Sequence, residues 1–348
     1  MSQARALAWF EEIGLADRPE VGGKGGSLGE LQRAGIAVPP GFVVSTAAFD
    51  LFIAALERNA PLRAGIEALP ADDLPALQAG CAAARARVES APLPAALRAQ
   101  ITSAWLRLCG GAAQPVAVRS SATTEDAEDA SFAGLQDTYL WVTDLDQALQ
   151  RIRSCWASLY SVESVGYRRR RKVAEAGVSM AVVVQRMVDA RTAGVMFTRS
   201  PTTGDRSVIT IEAAWGLGSA VVGGEVTPDR FVLGKITGEI SVRDISDKQL
   251  RHRPAPAGGV VDEAVPEPQR RAPCVNDDEL QALRAVARRV EKHYGRAQDI
   301  EWAIDASGAI LLLQSRPETV WSSKDMAPAA RPAADPLAHV MNIFGGRR

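Results

Sequence analysis

An arginine set at the end of a strand, followed by hydroxyl, small and acidic residues, is the strongest chemical signal in this chain. Residues 115–142 read PVAVRSSATTEDAEDASFAGLQDTYLWV. The β-branched, alternating start predicts a buried strand that delivers Arg119 and the hydroxyls of Ser120 and Ser121 to its end, and a second strand follows over 138–142. A guanidinium beside serines, backed by small residues and backbone N–H groups, suits an anion such as phosphate. An ordinary loop whose arginine makes a surface ion pair would use the same residues.

A second group lies near the other end, in QDIEWAIDASGAILLLQSRPETVW, residues 298–321. Two strand-like runs joined at 305–308 form a hairpin, with Glu301 in the first run and Gln314 and Arg316 two apart on the second, hence on one face. A carboxylate and an amide oxygen are hard ligands suited to Mg²⁺, and Arg316 beside them suits phosphate. Glu301 is costly to bury without a metal or a partner, and an internal ion pair to arginine is the alternative. A third candidate is Lys24 in VGGKGGSLGELQRAGI, residues 21–36, expected in a flexible glycine loop just before a short helix. It is not a P-loop, because no G-x-x-x-x-G-K-[ST] is present.

Between these groups, SMAVVVQRMVDARTAGVMFTRSP reads as two buried strands. Gln185, Met187 and Val188 at the end of the first could offer backbone amides to a purine edge and soft apolar side chains to its face, or could simply be core. Glu212 stands before Gly216 and Gly218, glycines that let backbone approach a ligand or a neighbouring lobe, and it joins the nucleotide-facing candidates.

The elements that must position these residues are less informative. Residues 47–110 predict helices punctuated by proline, a scaffold with no chemistry of its own. Residues 144–177 are helical in period, and their basic run 168–172 reads as a solvated face or a docking patch for another protein. The proline, glycine and charge content of 251–273 predicts a mobile surface excursion, and a helix over 277–294 starts from Asn276 as N-cap. A chain of 348 residues with 40 basic and 41 acidic side chains, net charge −1, implies two or three lobes and gives no sign of a nucleic-acid or membrane surface. The 4 cysteines are scattered and only 3 histidines occur, so neither a disulfide framework nor a zinc site is expected. The first residues lack the apolar run of a signal peptide, no window approaches the roughly 18 apolar residues of a membrane span, and a cytoplasmic location is expected.

GGKGGSLGEL, VRSSATTEDAEDASFAGLQDTYL, AAWGLGSAVVGGEVTPD and DIEWAID with LLLQSRPET occur in one order and at spacings that closely resemble the N-terminal nucleotide-binding domain of phosphoenolpyruvate synthase. Pyruvate phosphate dikinase and rifampin phosphotransferase share that domain. The resemblance covers nearly everything from residue 21 to 321. It implies an α+β, ATP-grasp-like fold of two lobes clasping ATP: residues 1–190 with the phosphate-binding Lys and Arg, 191–322 with the metal-binding hairpin, and a tail, 323–348, that is disordered or docks a partner. It further implies that Lys24, Arg119 and Arg316 bind phosphates and act in transfer, and that Glu301 and Gln314 hold Mg²⁺. Residues 131–136, with Ser131, Gly134 and Gln136, would be the glycine loop over the phosphates, and residues 185–188 the adenine hinge.

The family passes phosphoryl groups through a histidine on a swivelling domain, and His252, His293 and His339 do not match that setting. The chain therefore resembles one part of a split machine without the swivelling phosphohistidine domain, a hetero-oligomer in which a separate histidine-bearing phosphotransferase subunit accepts the β-phosphoryl of ATP as pyrophosphoryl. A subunit of about this length resembles the smaller catalytic subunit of phenylphosphate synthase, which serves phenol, with pyruvate as another acceptor. A nucleotide-sensing regulatory subunit and part of a rifampin-phosphotransferase-like antibiotic kinase are the alternatives. Retention of Lys24, Arg119, Glu301, Gln314 and Arg316 together argues against a pure sensor.

Overall fold

The computed structural model describes residues 5–70, 73–110, 114–123, 137–319 and 321. In chain order its first elements are β1 (Leu7–Trp9), α1 (Arg18–Arg33), β2 (Gly41–Val44), α2 (Thr46–Glu57), α3 (Arg63–Glu67), α4 (Leu74–Ser90), α5 (Ala95–Cys109), β3 (Val116–Ala122) and β4 (Thr138–Val142). Then come α6 (Leu145–Ser158), α7 (Val162–Arg170), β5 (Met180–Arg186), β6 (Ala190–Phe197), β7 (Val208–Trp215), α8 (Ser219–Val222), β8 (Asp229–Gly234) and β9 (Ile240–Asp244). The chain continues with β10 (Leu250–Pro254), β11 (Val260–Ala264), α9 (Glu267–Arg270), α10 (Asp277–Tyr294), β12 (Gln298–Asp305) and β13 (Ile310–Pro317).

Two antiparallel sheets organise these elements into an α+β protein. The first has the order β1-β2-β5-β3-β4 and the second β13-β12-β6-β7-β8-β9. The valine runs of β2 and β5 are buried on both faces because both faces are covered. Phe42, Val44, Val182 and Val184 pack with Phe49, Phe52, Trp105 and Trp156 of the helices, while Val43, Ala181 and Val183 pack with Val21 and Leu28 of α1. Each such valine, leucine or phenylalanine contributes roughly 1.5–3 kcal/mol by leaving water. The alternation of β3 places Arg119 and Ser121 on the α1 face.

The second sheet buries one face on α10, through Ile211, Phe231, Ile300 and Trp302 against Leu280, Leu283, Ala287 and Val290. Asn276 caps α10 as its sequence implies: its side chain accepts the Glu279 N–H at 2.9 Å and the Glu279 carboxylate accepts the Asn276 N–H at 2.9 Å. The opposite face of this sheet carries Glu301, which Arg119 of β3 meets. α1 joins the two sheets, since Leu31 belongs to the second core and the Ser27 hydroxyl donates to Ser315 O at 2.5 Å.

The structure corrects three expectations. Lys24 does not sit in a loop before the helix but within α1, buried, just after a break at Gly22 with φ 71°. Part of residues 251–273 is not an irregular excursion: β10 and β11 form an antiparallel hairpin with Gly258 and Gly259 at its turn, both at positive φ. The basic run 168–172 is not a purely solvated or docking face. Arg168 is buried in a two-point ion pair with Glu175, at 3.0 and 2.9 Å, and Arg169 donates to the carbonyls of Ile66, Leu69 and Pro70. Among the described residues no helix is long and apolar enough to cross a membrane.

Candidate nucleotide site

The site begins with a glycine that allows α1 to reach β3. A Cβ on Gly22 would lie 2.1 Å from Ser121 O, so only glycine permits this approach, and its positive φ breaks the helix two residues before Lys24. Ser121 then stitches the junction: its hydroxyl donates to Val21 O at 2.9 Å and accepts the Gly25 N–H at 3.2 Å. The Ser120 hydroxyl donates to Asp137 O at 3.1 Å. Both serines expected to face an anion are engaged in holding the strand end. Lys24 and Arg119 are thereby presented from one face of the first sheet, Lys24 at the start of a helix whose N–H groups favour negative charge.

Arg119 crosses to the second sheet. Its Nη1 donates to Leu313 O at 2.9 Å, and its Nη2 donates to Gln314 Oε1 at 2.6 Å and to Glu301 Oε2 at 3.2 Å. Glu301 and Gln314 are directly paired across β12 and β13, as the hairpin pattern implies. The arginine that pairs with Glu301 is thus Arg119 from the other sheet, while Arg316, 53% exposed, lies 3.5 Å from Asp299.

Strand register extends this into a row, polar except for one valine: Gln314, Glu301, Val195 and Glu212 lie opposite one another across β13, β12, β6 and β7. Burial raises the pKa of Glu212, and the charge of Arg230 in the next strand only partly offsets that. Along β12 the same face carries Asp299, Glu301 and Ala303, so the surface passes from acidic to apolar within one strand. Beyond the row, Ala193, Ala303, Leu311 and Leu313 form an apolar cluster with Val188, Met187 and Trp141. Met187 and Val188 therefore border the polar row. Gln185 does not face it freely: it is buried with its side-chain amide donating to Pro39 O at 3.3 Å, and the Met187 N–H, expected to be available to a purine, donates to Pro115 O at 2.9 Å.

Asp299 is the residue that sequence reasoning passed over. One of its oxygens, Oδ1, is buried without a hydrogen-bond partner among the described residues. Burial pushes its carboxyl up to about 6, against the pull of Arg316 and with Glu318 adding to the rise. Its position two residues before Glu301 on an alternating strand was the available signal. Ser131, Gly134 and Gln136 lie outside the described residues, as do His339 and the tail 323–348.

The chain belongs to the pyruvate phosphate dikinase AMP/ATP-binding domain family, whose model matches residues 18–335. Among curated proteins, a probable phosphoenolpyruvate synthase of Methanothermobacter thermautotrophicus is 41% identical over 316 residues, 90% of this chain and 46% of that protein. The phosphoenolpyruvate synthase of Aeropyrum pernix is 39% identical over 364 residues, covering 95% of this chain and 44% of its own length. A rifampicin phosphotransferase from Streptomyces is 41% identical over 316 residues, 90% of this chain and 36% of that protein. The chain thus spans less than half the length of these relatives. Among solved structures, the D-cycloserine synthetase DcsG is similar with a TM-score of 0.28 and 13% identity, covering 82% of this chain and 59% of that one.

Proposed function

We propose that the chain binds ATP with Mg²⁺ between its two lobes, residues 1–190 and 191–322, and serves as the ATP-binding subunit of a dikinase-type phosphotransferase. The observation that carries this reading is Arg119 of the first sheet meeting Glu301 and Gln314 of the second at hydrogen-bond distance. A row of phosphate and metal groups beside an apolar cluster matches a ligand with one charged and one flat apolar end.

The donor set fits Mg²⁺. Glu301 and Gln314 offer hard oxygens side by side, and Asp299 Oδ1, buried two residues before Glu301 on the same strand and without a hydrogen-bond partner among the described residues, is the kind of group a cation would satisfy. Glu301 and Gln314 would hold the ion, which supplies charge neutralisation of the phosphates when bound. Lys24, Arg119 and Arg316 bind and orient phosphate oxygens, with residues 131–136 as a further cover. Met187, Val188 and their apolar neighbours take the base, and Glu212 accepts hydrogen bonds from the nucleotide's hydroxyls. Such a site works by positioning and electrostatics, so the acceptor can come from elsewhere.

In the proposed reaction an acceptor histidine nitrogen bonds to the β-phosphorus as the α–β bridging bond breaks and AMP leaves. Water then releases the terminal phosphate, leaving phosphohistidine. Two of the chain's own histidines are committed elsewhere: His252 is held by Ser219, Glu225 and Asp262, and His293 lies 2.7 Å from Glu30. In this proposal the accepting histidine belongs to a separate histidine-bearing subunit, with phenol or pyruvate as the final acceptor. The test is ATP labelled in the β position, given to the chain alone and with candidate histidine-bearing proteins. Acid-labile label on the partner together with AMP supports the reading, and label on this chain without a partner overturns the split arrangement.

A further inference from the structure

Away from the Arg119 junction, one histidine and two carboxylates converge at a point the nucleotide site does not use. His252 lies on β10, directly opposite Asp262 on β11. β10 is held against the turn after β7: the Leu217 N–H donates to His252 O at 3.0 Å, and a Cβ on Gly216, at φ 78°, would lie 2.5 Å from that same oxygen. This close approach sets the imidazole beside α8, where Ser219 Oγ is 2.7 Å from Nδ1. Glu225, just past α8, places Oε2 3.2 Å from Nε2, and Asp262 places Oδ1 3.3 Å from it. The three ligand atoms all lie within 4.8 Å of one another. His252 is only 7% exposed, and the group opens on a cleft of about 600 Å³ bordered by Trp141, Arg151 and Val260.

We propose that Glu225, His252 and Asp262 form a site for a first-row divalent cation, Zn²⁺ being the best match, with the remaining coordination position open to the cleft. Around a tetrahedral Zn²⁺ with bonds of about 2.0–2.1 Å, ligand atoms stand about 3.3 Å apart. The two nitrogen-to-oxygen separations already have that value. In the metal-bound form the ring proton would sit on Nδ1 and be donated to Ser219, leaving the Nε2 lone pair for the metal and fixing the ring, the arrangement expected of an outer-shell partner. The imidazole separates this site from the all-oxygen set at Asp299, Glu301 and Gln314: nitrogen favours Zn²⁺, whereas Mg²⁺ prefers oxygen.

The location gives such an ion a mechanical consequence. The turn of the β10–β11 hairpin reaches β4 of the first sheet, where the Gly259 N–H donates to Trp141 O at 3.0 Å. Trp141 and Val260 pack against the apolar cluster of Val188 and Ala303. A cation joining β10, β11 and the segment after α8 would stiffen a strap between the two sheets.

The experiment titrates the chelator-treated full chain with Zn²⁺ by calorimetry and with Co²⁺ by visible absorption. The expected result is one equivalent of Zn²⁺ bound at micromolar concentration or below and a Co²⁺ spectrum of four- or five-coordinate intensity. Glu225→Gln and Asp262→Asn, whose parent side chains are 48% and 66% exposed and whose folding is therefore secure, should each weaken Zn²⁺ binding about tenfold or more. Glu301→Gln should leave it unchanged. Absence of stoichiometric Zn²⁺ binding, or equal affinity in the Glu225→Gln and Asp262→Asn variants, would overturn the proposal.

Discussion

The guanidinium of Arg119 donates to Gln314 Oε1 at 2.6 Å across the space between the two sheets. Two residues 195 positions apart in sequence thereby share one bond, and the same nitrogen reaches Glu301. In the proposed complex this fork turns toward phosphate while the carboxylate and amide it releases face the cation.

That geometry makes Arg119 more demanding than a point charge. Arg119→Lys keeps the positive charge but cannot serve Leu313, Gln314 and Glu301 together, so it should lower phosphoryl transfer to the partner by about a hundredfold, as should Arg119→Ala. Thermal stability falls in Arg119→Ala as well, because a charged, largely buried hydrogen-bonding group is lost. Single-turnover assays with a histidine-bearing partner check the rates, and full activity in Arg119→Lys would show that the fork is not used.

Gly22→Ala tests how Lys24 is positioned. The added Cβ meets Ser121 O at 2.1 Å in a backbone conformation disfavoured for alanine, and relief requires α1 to move away from β3. A loss of about 2 kcal/mol or more in urea denaturation is expected, with nucleotide affinity falling in parallel. Unaltered stability would mean that the close approach is absent in solution.

Glu212 gives a pH signature. Its carboxyl is raised by burial, so the folded protein holds that proton at pH values where the unfolded chain has already released it. Folding stability from this group is therefore highest below the unfolded carboxylate range and declines as pH rises toward the folded pKa. Glu212→Gln should remove that decline and be the more stable protein at neutral pH, while binding nucleotide more weakly. Denaturation curves from pH 4 to 8 check this, and parallel curves for the two proteins would contradict it.

Much of this site was legible because its parts are local. The strand carrying Arg119, the hairpin turning at Asp305, and the Asn276 cap each follow from short-range rules of alternation, turn chemistry and capping. Lys24 was placed in a loop because a glycine-rich segment has little intrinsic helix preference, and here Val21, Leu28 and Leu31 hold the helix through tertiary packing. The β10–β11 hairpin was hidden by its charges: the consecutive Arg251, His252 and Arg253 break the apolar alternation of a strand, and their match to Glu263 and Asp262 appears only once the two strands are paired. The pairing of Arg119 with Glu301, in place of an ion pair within the hairpin, depends on how the sheets meet and has no local trace.

Calorimetric titration of ATP in the presence and absence of Mg²⁺, on the wild-type chain and on Glu301→Ala, tests the central claim most directly. The substitution removes one carboxylate from a half-open position and leaves Arg119 bonded to Leu313 and Gln314, so the fold should persist. Wild type should bind one ATP with affinity that rises with Mg²⁺, and Glu301→Ala should lose that Mg²⁺ dependence. Equal affinity and equal metal dependence in the two proteins would contradict an ATP·Mg²⁺ site between these sheets.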